Sequence, residues 1–354
     1  MTATIRTVAE AAGVSITTVS FVLSNKHPQV EAISRETCER VKACAAALGY
    51  RKKSSAATSR SGRTPIIGVL LEVLDDEAKT LFASTFHISM LAGIHKTLIS
   101  RGYLLTLGSE YPLEDTDNLD KLATSGVSGI ILRCPHPDVV EHARELIKNN
   151  IPTVAIFPSE REHLYPYSVD MDNYKAGQMA AELFVKAGRK RPMFISAGSI
   201  KRLRDERTAG FCEVMKRELG IEPTGFELVN WEITPSLADI MKAISENSPD
   251  AIMCTDSGSA FLTSMAAERM EINVPDDLAI IGFDCYAIRG AQQQKLSSIG
   301  TSWWEAGQVA AEGLIDIISN EKEWTEPKIV NPRFIWGDTT PPELAEGWPL
   351  PWTI

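Results

Sequence analysis

The sequence predicts a small all-α head carried on a linker, followed by an α/β body of two doubly wound parallel-sheet subdomains with a ligand cleft. Three observations lead there. Near the N-terminus apolar residues recur at helical spacing in three short runs, residues 51–64 contain no large apolar side chain, and from Ile66 onward short apolar runs alternate with longer amphipathic ones. The resulting division is a head at 1–49, a linker at 50–64, a body at 65–340 and a tail at 341–354. Within the body, the first subdomain is expected at about 65–165 and 293–322, the second at about 166–292 and 323–340.

In the head, "TIRTVAEAAG" offers Thr4 as a cap, sets Ile5, Val8, Ala9 and Ala12 on one helical stripe, and ends at Gly13, which suits a sharp turn. Ser15 then caps a second helix with Val19, Val22 and Leu23 inward. A third begins after Ser34, turns Val41, Ala45 and Leu48 inward, and stops at Gly49. Two short helices meeting at one glycine, with a third behind them, describe a helix-turn-helix headpiece. Its second helix leaves Ile16, Thr17, Ser20 and Phe21 outward, where a DNA major groove would lie; the alternative is a plain helical bundle with a partly apolar outer face. Charge bears on the choice. Residues 1–64 hold ten Lys+Arg and four Asp+Glu, a net of +6, while the whole chain is −10, which leaves −16 for the remainder. A cationic arm on an acidic body points to a polyanionic partner for the head alone.

The linker "RKKSSAATSRSGRT" buries too little to hold a helix by itself and is expected to order on DNA or on a second subunit. In the body, "IIGVLLE", "YLLTLG", "GIILR", "PTVAIF", "PMFIS", "FELVN", "AIMC" and "LAIIGF" read as buried strands. Helices are expected at about 80–101, 113–125, 137–149, 173–188, 201–219, 235–246, 257–271 and 303–319. No GxGxxG follows a strand, and GxxxxGK[ST], GxSxG and HExxH are absent, so nucleotide sites and common hydrolase centres lose their main support. The six cysteines form no CxxC pair and are expected to be reduced and buried, as in a cytosol. Two prolines break up Cys134, His136, Asp138 and His142, so no metal is expected there, and no cofactor elsewhere. No apolar run approaches a bilayer span, and "MTATIRTVAEAAG" has no h-region, so a cytoplasmic location without membrane contact is expected.

The run "TIRTVAEAAGVSITTVSFVLSN", followed by "ISRETCERVKACAAALGY" and "GRTPIIGV", resembles the head and junction of the LacI/GalR family of bacterial transcription regulators. The likeness continues, in order, through "VDMDNYKAG" (Val169 to Gly177), "RTAGF" (Arg207 to Phe211), "INVPDDLAIIGFD" (Ile272 to Asp284) and "KLSSI" (Lys295 to Ile299), and covers the chain to about Asp338. The tail "PPELAEGWPLPWTI" lies outside it. The resemblance implies a ligand-responsive, sequence-specific repressor of a carbohydrate or sugar-acid operon. It would be a homodimer or tetramer whose heads bind operator DNA at the nucleoid. A periplasmic-binding-protein-like body would sense a sugar, sugar acid or phosphorylated sugar. Two other classes stand beside it. A solute-binding protein would share the body but need export and have no use for the head; a sugar-processing enzyme would need paired carboxylates or a nucleophile and base.

Position by position, the resemblance implies phosphate contacts from Thr4, Thr18 and Ser20 and base contacts from Ile16, Thr17 and Phe21. Arg6, Ser15, Ser24 and Lys26 complete the expected DNA-binding set in the head, with Arg51, Lys52, Lys53 and Ser59 in the linker. Phe21 stands where the family commonly has arginine. A phenyl ring offers a base only apolar contact, typically to a thymine methyl; the alternative is packing against another head or the body. Ser59 matches the leucine that wedges into the minor groove in relatives, and serine cannot wedge. Either the linker grips the backbone through Arg51, Lys52, Lys53 and Arg60, or the match is shifted by a few residues.

For the effector, the resemblance implies Arg207 and Asp284 as polar grips and Trp231 as a stacking wall; the bland alternatives are a helix cap, a turn and a core residue. Phe157 replaces an aspartate common in sugar-sensing relatives, Thr255 replaces the Asn before Asp256, and Arg133 replaces a smaller or polar residue. Lost polyol partners and a gained cation favour an effector with an acidic group, unless Arg133 pairs with Glu72 across the cleft.

Overall fold

Three short helices, α1 (Ile5–Ala12), α2 (Ile16–Val22) and α3 (Arg35–Ala47), enclose Val8, Ala9, Ala12, Val19, Val22, Val41 and Ala45. The protein is described by a computed structural model covering residues 5–23, 33–48, 64–72, 85–110, 117–133, 137–159, 167–198, 200–228, 233–285, 295–319 and 324–345. Local chemistry sets the helix ends. Ser15 accepts from the Thr18 amide at 3.0 Å and Ser34 from the Thr37 amide at 3.3 Å, so each hydroxyl satisfies a first-turn N–H. Gly13 takes φ +65°, a conformation that costs an L side chain strain, and so turns the chain from α1 into α2. Arg40 on α3 donates to the Ala12 carbonyl at 3.1 Å, tying α3 to the end of α1. The expected inward position of Leu48 is corrected: it is 43% exposed, because it caps α3 and lies past the last residue of the buried stripe. The linker lies outside the described residues.

By contacts, the chain divides into compact units at 1–62 and 63–354. The second holds two six-stranded sheets. Sheet one comprises β1 (Thr64–Glu72), β2 (Leu104–Glu110), β3 (Val127–Arg133), β4 (Thr153–Ile156), β5 (Ser168–Met171) and β11 (Lys328–Val330), in the order β11-β5-β4-β3-β1-β2. Sheet two comprises β6 (Pro192–Ser196), β7 (Thr224–Glu227), β8 (Ala251–Cys254), β9 (Ala279–Phe283), β10 (Ser297–Gly300) and β12 (Arg333–Ile335), in the order β12-β10-β9-β8-β6-β7. The described pairings are parallel, except that β12 runs antiparallel to β10. β3, β4, β8 and β9 are buried along their whole length, as strands covered on both faces must be.

Helices α4 (Thr85–Ser100), α5 (Asp117–Thr124), α6 (Pro137–Lys148) and α11 (Trp303–Ser319) pack on sheet one; α7 (Asn173–Lys186), α8 (Lys201–Leu219), α9 (Ile233–Asn247) and α10 (Ser257–Arg269) cover sheet two. α7 and α8 cross at two glycines. A Cβ on Gly177 would sit 1.9 Å from the Arg207 carbonyl oxygen, and one on Gly210 would sit 2.0 Å from that of Tyr174. Only a bare backbone allows these helices so close.

The expected subdomain boundaries need correction. β5 and β11 belong to sheet one although the sequence places their residues in the second subdomain, and β10 belongs to sheet two although the sequence places it in the first. The described chain passes between the subdomains at 171–173, 300–303 and 330–333. The strands involved are only three or four residues long, so no apolar run marks them. Ser168, Asp170, Ser297 and Ser298 are nonetheless fully buried. Three of them find partners in the chain itself: Ser297 donates to the Gly337 carbonyl at 2.9 Å, Ser298 accepts from the Cys285 amide at 2.9 Å, and Asp170 accepts from the Met171 amide at 2.8 Å, while the Ser168 hydroxyl has no hydrogen-bond partner among the described residues. β7 also begins two residues before the expected "FELVN". The tail boundary moves too, since Pro342–Ala345 forms a 3-10 turn that buries Leu344 in the body.

Candidate functional site

A cavity lies where the carboxyl ends of strands from both sheets converge, the usual ligand position in open α/β folds. Arg133 closes β3, Phe157 follows β4 and Met171 closes β5; from the other sheet, Asp284 follows β9 and Thr301 follows β10. Asn173 and Trp303 begin the helices after two of the passages between subdomains, and Leu203 and Arg207 come from α8. Phe157 and Asp284 both adopt positive φ, +49° and +56°. Neither is glycine, and such strain collects where a side chain must be aimed into a site.

Arg207 is the polar centre of this arrangement. Its Nε donates to Asn173 Oδ1 at 2.9 Å, Nη1 to the Thr255 carbonyl at 2.6 Å, and Nη2 lies 3.8 Å from Asp284 Oδ2. Its guanidinium also stands 4.3 Å from the Phe283 ring centre. Burial pulls the Arg207 pKa down, and the Asp284 charge is the main opposing influence. The Trp303 indole N–H points at Asp284 Oδ1, 3.4 Å away. Around the Trp303 ring stand Phe157 edge-on at 4.7 Å, Phe86 at 5.1 Å and the Arg133 guanidinium at 5.6 Å. The result is an aromatic wall beside two guanidinium groups and a carboxylate.

Of the residues expected to meet an effector, Arg133, Phe157, Arg207 and Asp284 come together here. Thr255 does not, and that expectation is corrected. It is 1% exposed, and its hydroxyl accepts from the Ala197 amide and donates to the Ala197 carbonyl, both at 2.7 Å, joining the ends of β8 and β6. Asp256 caps α10, accepting from the Ser259 amide at 2.8 Å. Its Oδ2 is buried with no hydrogen-bond partner among the described residues, and burial pushes the pKa up against the Ser259 bonds and the Arg207 charge. Asp256 stands behind the cavity and is not on its lining. Trp231 and the Glu72 side chain lie outside the described residues. Trp303, Asn173, Met171, Leu203 and Thr301 were not anticipated. "TSWW", an aromatic pair straight after a buried strand, was the available signal for Trp303.

On the head, Ile16 (43% exposed) and Thr17 are open to solvent; Thr18, Ser20 and Phe21 are half-buried, and Arg6 is exposed on α1. The Ser15 and Thr18 hydroxyls are 2.8 Å apart at the start of α2. Thr4, Ser24, Lys26, Arg51, Lys52, Lys53 and Ser59 lie outside the described residues, as do Cys134 and His136. His142 pairs with Asp120 at 2.7 Å, between α6 and α5. No single described helix is long and apolar enough to cross a membrane.

Comparison with known proteins gives two matching family descriptions. Residues 4–53 match bacterial regulatory proteins of the lacI family, and residues 181–340 match a periplasmic binding protein-like domain. The chain is 25% identical over 340 residues to the HTH-type transcriptional repressor PurR of Klebsiella pneumoniae (strain 342), covering 94% of this chain and 95% of that one. It is 26% identical over 328 residues to the ribose operon repressor of Escherichia coli (strain K12), covering 90% and 93%. Among solved structures, the lac repressor dimer bound to operator and the anti-inducer ONPF superposes with a TM-score of 0.70 at 21% identity, over 96% of this chain and 99% of that one.

Proposed function

We propose that this chain, whose residues 4–53 match bacterial regulatory proteins of the lacI family and whose residues 181–340 match a periplasmic binding protein-like domain, is a ligand-responsive DNA-binding repressor whose cleft takes a small sugar acid or phosphorylated sugar. One observation carries this reading: Arg133, Phe157, Arg207 and Asp284 converge from two sheets on one cavity. A guanidinium grips carboxylate or phosphate oxygens in a two-pronged fashion, Asp284 accepts from a hydroxyl, and the Trp303 and Phe157 rings cover an apolar sugar face. The ribose operon repressor among the relatives supports a carbohydrate. DNA is read by α2, with Ile16, Thr17 and Phe21 toward the bases and Thr18 and Ser20 toward phosphates. Two heads of a homodimer would address a near-palindromic operator from the cytoplasm.

A thermal-shift screen of neutral sugars, sugar acids and phosphorylated sugars tests the effector class, since a ligand bound only by the folded state raises the midpoint. Stabilisation by the acidic compounds is expected; stabilisation by neutral sugars alone would remove the role given to Arg133. Arg207→Ala, titrated calorimetrically with the compound so found, should lose about ten- to a hundredfold in affinity. Unchanged affinity in the folded variant would return Arg207 to a purely structural place.

A further inference from the structure

The first turn of α8 reaches from the second subdomain into the first through one side chain. Arg202 Nη2 lies 2.8 Å from Asp170 Oδ2 and donates to the Pro158 carbonyl at 2.8 Å; Nε donates to the Ser159 carbonyl at 3.2 Å. Nη1 meets both oxygens of Glu206, one turn along α8, at 3.2 Å. All three guanidinium nitrogens are therefore engaged, and the side chain is only 17% exposed. Asp170, on β5, is fully buried, and its other oxygen accepts from the Met171 amide at 2.8 Å.

Pro158 and Asp170, two of the partners of Arg202, are each next to a residue of the cavity lining. Pro158 follows Phe157, Asp170 precedes Met171, and Arg202 itself precedes Leu203 on the helix that carries Arg207. We infer that Arg202 is a positioning residue that straps the two subdomains together and thereby sets how far the cleft is closed before any effector arrives. The assignment rests on the reading of this cavity as the effector site. Opening the cleft withdraws the guanidinium from a wholly buried carboxylate and from two carbonyls, which is the costly way to break an ion pair. The closed arrangement is thus favoured by the protein's own contacts. A ligand that needs the closed form binds more tightly in proportion to the fraction already closed.

The test uses the full-length protein without ligand. Hydroxyl-radical footprinting reads the solvent access of Met171, Phe157 and Trp303, which are 3%, 5% and 8% exposed, against Met253 and Phe184, which are fully buried away from the cleft. Arg202→Met is paired with the double variant Arg202→Met/Asp170→Asn, which no longer strands a buried charge and keeps a folded body available. Both are expected to oxidise severalfold faster at the three cleft residues, with Met253 and Phe184 unchanged, and Arg202→Lys should fall between them and the wild type. Cleft residues as protected in the double variant as in the wild type would overturn the strap. Failure of every sugar-type compound to shift the wild-type midpoint would overturn the effector reading instead, whatever the footprint shows.

Discussion

The head and the body are stabilised in different ways. Among the described residues, the buried side chains of the head's core are valines and alanines, whereas the body fully buries Phe184, Phe211 and Phe283 together with many Leu, Ile and Met side chains. A core that small contributes little beyond the entropy it must offset. The Ser15 and Ser34 caps and the Arg40 bond to Ala12 are therefore a large share of what holds the head. The body can afford strain at Phe157 and Asp284 because full sheets surround them. The small head buries only short side chains and leaves Ile16 and Leu48 exposed, while the larger body holds Phe157 and Asp284 in unfavourable backbone conformations.

The sharpest way to break this comparison is to separate the parts. Deleting residues 1–60 is expected to leave a body with an unchanged melting midpoint and operator affinity reduced at least about a thousandfold, to the non-specific level; calorimetry and fluorescence anisotropy check the two halves of the statement. A truncated body that bound operator as tightly as the full chain would end the division of labour. Next in size is Gly177→Ala. The added methyl meets the Arg207 backbone and forces α7 and α8 apart, at about 3 kcal/mol, the upper end for overpacking. Urea unfolding followed by the body's tryptophans should show the loss, and the head's operator specificity should remain as it was. A cost under about 0.5 kcal/mol would mean that the helix pair yields easily.

The smallest expected effect lies in the head. Phe21→Arg replaces a half-buried ring on α2 with a group that can fork onto guanine. Operators selected from a random library should shift toward guanine at one position per half-site, by about 1–3 kcal/mol, with half-site spacing unchanged. Identical motifs for wild type and variant would make Phe21 a packing residue of the head.

How much of this was legible in the chain follows from the distance over which each feature is built. The described part of the head could be read almost completely, because Ser15 caps α2 through an amide three residues away and Val8, Ala12, Val19 and Val41 belong to periodic stripes. Among the described head residues, Leu48 departs from the expectation because it falls where a stripe runs past a helix end. The long buried strands and every body helix were legible for the same reason. The α7–α8 crossing was not: nothing local distinguishes Gly177 and Gly210 from turn glycines.

By itself the sequence determined the three-part organisation, the basic head, the alternating strands and helices, and the presence of Arg133, Phe157, Arg207 and Asp284 as side chains needing partners. Tertiary structure decided the rest. It placed β5, β10 and β11 in sheets that strands of three or four residues do not announce. It committed Thr255 to Ala197, brought Trp303 against Phe157 and Asp284, and joined Arg202 to Asp170. The physical reason is range. Helix stripes and caps are satisfied by neighbours a few residues away, so their chemistry is written locally. A cleft between two sheets is assembled from strand ends far apart in the chain, and which of them meet is fixed only when the buried faces have packed.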